Sequence, residues 1–255
     1  MVKIAYCLYG QPRNLEEGYK TISKFVENYD VDFYYHTWVL ENNNDLYEHS
    51  GHRHININEI KYDENIIEKI NSLYKPNAYL AELSKSFNDI IDDEFMNSIA
   101  YKNTNIYDRN NNRISNTLSN FYSRQQVRNL FYDKITKENR EYDFVITSRF
   151  DMLKYNNVNL DMIDNKKNYF SDIHLPRYIF SDHILLLGVD NFLKLYDVYD
   201  NLHNLINNEE LNKIIDNYNE KLVIVPEQLL FANYLFHFKN LDNVIYINFP
   251  NFRNI

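Results

Sequence analysis

The fold is decided first by residues 2–14, which read VKIAYCLYGQPRN. Residues 2–9 are a short run of apolar, β-branched and aromatic side chains, and the run stops at turn-forming residues from Gly10 to Asn14. A run of this kind, bounded by a turn, is typical of a buried strand. After the turn, residues 15–26 carry an apolar stripe at helical spacing, and Asn14 is placed to cap that helix. Strand, turn and helix together predict the start of a β-α-β unit.

Short apolar strands and longer helical stretches continue to alternate outward from this unit, with no internal repeat. We expect strands at residues 31–36, 55–60, 78–83, 142–147, 169–170, 178–180, 184–188 and 244–249, and helices at 63–74, 115–138, 190–207 and 226–238. The alternation predicts an α/β protein in which helices flank one central sheet. We expect residues 1–255 to form one domain. Residues 87–115 show no sustained apolar face, and we expect an insertion or a mobile region there.

Composition excludes several classes of function. With only 4 Gly, the chain lacks the glycine-rich loops of nicotinamide-dependent dehydrogenases and P-loop proteins. The formal net charge of -9 argues against nucleic acid and anionic membranes as partners. The sequence contains no stretch of about 18 apolar residues, so we expect no membrane span. We therefore expect a cytoplasmic protein, in the host cytoplasm if it is viral.

The single cysteine, Cys7, lies within the first apolar run. It has no second cysteine with which to form an internal disulfide, and no Cys-His signature of a thiol enzyme surrounds it. We expect Cys7 to be buried in the first strand and dispensable for catalysis.

Polar clusters follow three of the predicted strands. They are GQPR at residues 10–13, HTW at 36–38 and RFD at 149–151. In open α/β sheets, ligands bind at the carboxyl ends of the strands. One such cluster alone is as well explained by a surface turn, but three at equivalent positions favour a binding site.

These clusters belong to a longer set of segments that carries a family resemblance. The segments are LYGQPRN at 8–14, HTW at 36–38, YDFVITSRFD at 142–151, SDH at 181–183 and PE at 226–227. In this order they are similar to viral and bacterial glycosyltransferases of the GT-A type. The resemblance implies a Rossmann-like GT-A fold with a single mixed sheet, across whose strand ends a nucleotide-diphosphate sugar lies. Donor-binding residues would then be Tyr9, Gly10, Gln11, Arg13, Thr37, Trp38, Arg149 and Asp151.

Enzymes of this type usually hold a divalent metal with an Asp-x-Asp motif, and here Arg149 stands in place of the first carboxylate. Asp151 could still bind Mn²⁺ or Mg²⁺ together with the donor diphosphate, with His237 as a further ligand. Alternatively, Arg149 and Arg13 could neutralise the diphosphate directly, which would make a metal unnecessary. A third interpretation treats Arg149 and Asp151 as a surface ion pair.

Glycosyl transfer with inversion needs a base for the acceptor hydroxyl, and a carboxylate usually supplies it. Asp182 matches the acidic position of the family best, and Glu227 is the second choice. Asp182 could equally be a turn residue, and Glu227 could simply favour a helix N-terminus. Tyr9 and Trp38 are placed to stack on a base or sugar.

We therefore expect a glycosyltransferase that uses a UDP- or GDP-sugar as donor and a glycan or glycoconjugate as acceptor. A nucleotidyltransferase, or a carbohydrate-binding protein without turnover, would fit the same cleft. The sequence does not identify the sugar or the acceptor.

Overall fold

A computed structural model describes residues 1–41, 63–109, 111–152, 158–171 and 180–247. The strands are β1 (Lys3–Gly10), β2 (Asp30–Val39), β3 (Ala78–Leu83), β4 (Phe144–Arg149), β5 (Asn168–Ser171), β6 (Ile184–Leu187) and β7 (Val244–Ile247). The helices are α1 (Leu15–Phe25), α2 (Ile66–Tyr74), α3 (Asp93–Asn97), α4 (Ile99–Asn103), α5 (Asn111–Glu138), α6 (Val189–Leu195), α7 (Leu202–Ile206), α8 (Glu209–Asp216) and α9 (Pro226–Phe238). The predicted strand at residues 55–60 lies outside the described residues.

The described strands form one mixed seven-stranded sheet in the order β3-β2-β1-β4-β6-β5-β7. Neighbours run parallel from β3 to β4, whereas β6 runs antiparallel to both β4 and β5. Helices flank this sheet, so the predicted fold class is confirmed. The parallel strands bring their carboxyl ends to one edge, where Gly10 pairs with Thr37 and Tyr9 pairs with Arg149.

Both faces of the sheet are covered, as the uninterrupted apolar run of β1 requires. Ala5, Cys7 and Tyr9 belong to the larger core, together with residues of α5 and α9. Their neighbours in β1, Ile4, Tyr6 and Leu8, belong to a second core with residues of α1 and α2. This alternation follows from the two-residue period of a strand.

Cys7 is fully buried in β1, which confirms the predicted location. Burial raises the pKa of its thiol, because the thiolate loses its hydration. A thiol held in this form is a poor nucleophile. That Cys7 is dispensable for catalysis remains a prediction.

Helix α1 begins where the sequence predicts, but its cap is different. Asn14 has a left-handed backbone (φ 47°), and its side chain makes no capping hydrogen bond. The predicted side-chain cap is therefore wrong. Asn tolerates this conformation better than most residues do, and here it turns the chain from β1 into α1.

Two predicted helix boundaries are also wrong. Helix α5 begins at Asn111 rather than at residue 115 or 116, and the Ser115 hydroxyl instead accepts a hydrogen bond from the Phe87 backbone (3.1 Å). The helix expected over residues 190–207 is broken into α6 and α7. The break coincides with Asp197, whose carboxylate accepts hydrogen bonds from Asn233 and His237 of α9.

Residues 87–115 are more closely tied to the core than expected. Phe87, Phe95 and Ala100 are buried in the larger core, although the segment has no sustained apolar face. The anchors were hard to recognise because short helices separate them. Whether this segment moves more than β1 remains a prediction, and amide hydrogen exchange would test it.

Candidate active site at the carboxyl edge of the sheet

The topology brings three separate parts of the chain to the carboxyl edge of β1 and β4. Ile184, the first residue of β6, pairs with Ser148 near the end of β4. Because β6 is antiparallel to β4, the preceding residues Asp182 and His183 lie at the edge where β4 ends. Glu227 lies in the first turn of α9, and its carboxyl group interacts electrostatically with Asp182. The two carboxyl groups that the sequence predicts as catalytic are thus brought together.

Arg124 of α5 contacts two residues at this edge, Tyr9 and Asp182. Its Nη2 donates to the Tyr9 hydroxyl (2.7 Å), to the backbone carbonyl of Asp182 and to the Asp182 carboxylate (3.2 Å). The Tyr9 hydroxyl itself donates to the same Asp182 carbonyl (2.7 Å). Arg124 is 1% exposed, and its guanidinium lies over the Tyr9 ring, 4.5 Å from the centroid. A buried cation therefore fixes the position of Asp182.

Arg124 is central to the site but is not among the residues predicted from the sequence. Within the helical pattern of α5 it looks like any solvent-facing charge. Its signal is its helical spacing from buried residues, because Phe121 and Val127 lie three residues to either side of it. Among the described residues, the buried Nη1 of Arg124 has no hydrogen-bond partner. Such a group is rare in folded proteins and points to a water or ligand atom beside it.

Asp182 and Glu227 have opposite pKa shifts. Burial would raise the pKa of Asp182, but the charges that His183, Arg124 and Arg149 can carry outweigh burial and lower it. For Glu227, burial and the negative charge of Asp182 act in the same direction and raise the pKa to about 7. At neutral pH one carboxyl group is ionised and the other exchanges its proton. Pairs of this kind are found where acid and base chemistry is divided between two carboxyl groups.

Arg149, the last residue of β4, and Asp151 form a bidentate ion pair. Nε of Arg149 donates to one carboxylate oxygen of Asp151 (2.9 Å) and Nη2 donates to the other. The side chains are 24% and 9% exposed, respectively, so this pair is more buried than an ordinary surface pair. Burial opposes the charge of Arg149, but the Asp151 carboxylate outweighs it and raises the pKa of Arg149.

His183 lies between these charges. Its Nδ1 is 3.8 Å from a carboxylate oxygen of Asp182, and burial lowers the pKa of the ring. The imidazole is therefore neutral at neutral pH, and it can donate or accept one hydrogen bond through each ring nitrogen according to its tautomer.

The turn after β1 is held by a second network. The Gly10 N–H donates to the Ser123 hydroxyl (2.9 Å), which also bonds Nδ1 of His36 (2.7 Å). Nε2 of His36 bonds the Glu82 carboxylate (2.9 Å), and burial lowers the pKa of His36 to about 4. Gly10 has φ +91°, a conformation that glycine adopts without strain. Ser123 and Arg124 are adjacent in α5. Together they position the carboxyl end of β1 and Asp182.

Three residues predicted to touch the donor have internal roles instead. Tyr9 is 1% exposed, so its ring is no stacking platform. The Thr37 hydroxyl is buried and donates to the Gly10 carbonyl (3.0 Å). Trp38 is 4% exposed and packs between His36, Phe87 and Tyr122. The stacking roles are wrong because the aromatic faces are already covered by other side chains.

Gln11 and Arg13 are partly exposed beside Gly10. The Gln11 side-chain oxygen accepts hydrogen bonds from Nε (2.9 Å) and Nη2 (2.5 Å) of Arg13. This contact orients the Arg13 guanidinium at the edge where β1 ends. Contact of either residue with a donor remains a prediction.

His237 does not join the site. It lies at the opposite end of α9 from Glu227, and a helical rise of 1.5 Å per residue separates the two by about 15 Å. Its Nε2 instead bonds both carboxylate oxygens of Asp197 (3.0 Å each). The structure therefore does not bring His237 to Glu227, and its assignment as a metal ligand remains a prediction.

A divalent metal fits poorly among the side chains that are placed. In the described parts of the chain, no group of three His, Cys, Asp or Glu residues is arranged to hold a metal ion. Asp151 is the other predicted ligand, and the Arg149 guanidinium contacts both of its oxygens. A cation next to that guanidinium would be repelled, so we derive no step through a metal.

Comparisons with known proteins give only distant structural likenesses. No family model and no curated protein matches this sequence. Two crystal structures of LgtC, an active-site mutant and the galactosyltransferase in complex with donor and acceptor sugar analogues, are similar to 97% of this chain. They are covered over 73% of their own length, with 10% and 11% identity and TM-scores of 0.41 and 0.39. The bifunctional glycosyltransferase WbbM is similar to 96% of this chain over 38% of its own, with 11% identity and a TM-score of 0.39. From likenesses this distant we infer nothing about function.

No helix in the described ranges is long and apolar enough to span a membrane.

Proposed function

We propose that this protein is a glycosyltransferase that moves a sugar from a nucleotide-diphosphate sugar to a hydroxyl of a glycan or glycoconjugate. One observation carries the proposal: Asp182 and Glu227, with pKa values shifted in opposite directions, share the carboxyl edge of the sheet with Arg124 and Arg149. Transfer of a sugar needs a base for the acceptor and positive charge for the leaving diphosphate. This edge offers both.

Glu227 suits the role of base better than Asp182. A general base works best when its pKa is near the operating pH, and that of Glu227 is raised to about 7. Asp182 is held by Arg124, and its lowered pKa makes it a weak base. The negative charge of Asp182 keeps the pKa of Glu227 high. It can also stabilise the positive charge that develops on the anomeric carbon.

The diphosphate would lie against Arg149 and Arg13. Asp151 holds the planar Arg149 guanidinium in one orientation, which suits recognition of phosphate oxygens. In this proposal Asp151 is a positioning residue rather than a metal ligand. A UDP- or GDP-sugar is the donor class that the sequence resemblance implies.

The proposed reaction is a single displacement. Glu227 takes the proton of the acceptor hydroxyl as its oxygen attacks the anomeric carbon. The bond between that carbon and the diphosphate oxygen breaks, and its electron pair leaves with the nucleoside diphosphate. Arg149 and Arg13 neutralise the charge that this leaving group gains.

A thermal-shift panel of UDP- and GDP-sugars tests the binding half of this proposal. A donor at 100 times its dissociation constant should stabilise the protein by roughly 2.7 kcal/mol. In Arg149→Gln, the shift with nucleoside diphosphate should shrink more than the shift with nucleoside monophosphate. If no nucleotide or nucleotide sugar shifts the transition of the wild type, the proposal is wrong.

A further inference from the structure

The loop at residues 104–109 leaves two large apolar side chains in water next to the candidate site. Ile106 is 80% exposed and Tyr107 is 81% exposed. Single exposed apolar residues are common on protein surfaces, whereas contiguous exposed apolar surface marks interaction sites.

This exposure does not come from a loose chain. The Asn105 side-chain oxygen accepts the N–H groups of Tyr107 (3.0 Å) and Asp108 (3.0 Å). Nε of Arg109 donates to the Thr104 carbonyl (2.7 Å), and Arg113 forms an ion pair with Asp108. The backbone on both sides of Ile106 and Tyr107 is therefore fixed, and their exposed position is set by the turn.

Hydrogen bonds place the base of this loop beside the start of α9. The hydroxyl of Thr104, which is 1% exposed, accepts a hydrogen bond from the Ile224 backbone (2.8 Å). The Asn103 side chain donates to the Leu222 carbonyl (3.3 Å). Ile224 is three residues before Glu227 in the chain. In agreement with this geometry, the negative charge of Asp108 contributes to the raised pKa of Glu227.

We propose that Ile106 and Tyr107 form a docking surface for the acceptor saccharide, whose hydroxyl is presented to Glu227. This inference rests on the proposed glycosyl transfer. A saccharide ring combines an apolar face, which can stack on Tyr107, with hydroxyls that can bond the carboxylate of Asp108. An anionic membrane is a poorer occupant, because the chain carries a formal net charge of -9 and Asp108 borders the patch.

The test separates use of the donor from use of the acceptor. Hydrolysis of UDP- and GDP-sugars by water is measured alone, and transfer is then measured with methyl glycosides of galactose, glucose and mannose. For Tyr107→Ala, we expect hydrolysis within about twofold of wild type and an acceptor KM raised about tenfold, as the loss of one stacking ring predicts. Tyr107→Phe keeps the ring and should keep the acceptor KM.

Tyr132→Ala is the matched control. Tyr132 is 51% exposed on α5, and it is about 12 Å along the helix from Arg124. This variant should behave as wild type does.

Several results would overturn the inference. They are an unchanged acceptor KM in Tyr107→Ala, an equal loss of hydrolysis and transfer, or hydrolysis by the wild type without transfer to any methyl glycoside. Binding to phosphatidylcholine–phosphatidylglycerol vesicles that Tyr107→Ala abolishes would assign the surface to a membrane instead. If the wild type neither hydrolyses nor transfers any donor, the proposed function itself fails, and this inference fails with it.

Discussion

Glu227 carries its raised pKa because folding places it near Asp182 and away from water. In the unfolded chain its carboxyl group should titrate near 4.3, whereas in the folded protein it titrates at about 7. The folded state therefore holds this proton more tightly. The stabilisation is fully present below the unfolded pKa, and it is lost as pH rises through about 7.

Glu227→Gln tests this linkage, because Gln resembles the protonated acid at every pH. Because pH 5 lies only just above the unfolded pKa, we expect the free energies of unfolding of the variant and wild type to differ less at pH 5 than at pH 8. At pH 8 the variant should be more stable by about 1 to 3 kcal/mol, since the wild type must keep an ionised carboxylate in this environment. Urea unfolding at both pH values measures the difference. A gap that does not change between pH 5 and pH 8 would contradict the raised pKa.

Asp151 distinguishes a metal site from an arginine site. If Asp151 orients Arg149, Asp151→Asn should weaken donor binding by about 1 to 3 kcal/mol, the range for losing a charged hydrogen-bonding partner. The loss should be the same with and without Mn²⁺, as calorimetric titration can show. A loss confined to the Mn²⁺ titration would restore the metal role and contradict our assignment.

At the scale of elements, α1 packs against the end of β4 at Gly18. A Cβ built on Gly18 would lie 1.8 Å from the Phe150 carbonyl oxygen, which is too close for any side chain. Phe150 stands between Arg149 and Asp151 in the chain. The position of α1 against the sheet therefore affects the position of the Arg149–Asp151 ion pair.

Gly18→Ala should destabilise the protein by about 1 to 3 kcal/mol, the usual range for overpacking, although Ala favours a helix more than Gly does. Because α1 must move away from Phe150, donor binding should weaken as well. Lys20→Ala, on the exposed side of α1, is the control and should leave both properties close to wild type. Unchanged stability in Gly18→Ala would show that α1 shifts freely.

The sequence predicts elements better than it predicts how their side chains are used. Strand β1 is recognisable because its apolar run is bounded by a turn, and the edge residues Arg149 and Asp151 follow from their position after a buried strand. The buried role of Arg124 has a weak signal, because its spacing from Phe121 and Val127 places it on the apolar face of α5 but does not show which groups it contacts. Trp38 looks available for stacking until its neighbours, Phe87 and Tyr122, are known from the fold.

At the scale of the whole molecule, the antiparallel strand β6 assembles the site. If β6 ran parallel to β4, Asp182 would lie at the opposite edge of the sheet from Arg149. Strand direction depends on long-range pairing, and the residues of β6 alone do not encode it. The resemblance supplied the order of the segments, whereas their meeting at one edge is a property of the completed sheet.

The charge distribution of the whole molecule is compatible with the proposed anionic donor. The formal net charge is -9, yet Arg13, Arg124 and Arg149 gather near one edge. In a partly buried site, nearby charges outweigh the average field of the molecule, because water screens them less. Donor binding should therefore depend on these arginines and little on net charge.

Product analysis of donor turnover tests the central claim most directly. Wild type and Glu227→Gln are incubated with UDP- and GDP-sugars from pH 5.5 to 8.5, with and without methyl glycosides, and the products are separated by chromatography. We expect nucleoside diphosphate with free or transferred sugar, a rate that rises through about pH 7, and a loss of roughly 100-fold or more in Glu227→Gln. Sugar phosphate with nucleoside monophosphate would indicate nucleotidyl chemistry. Donor binding without any turnover would indicate a binding protein, and either result would contradict glycosyl transfer by this site.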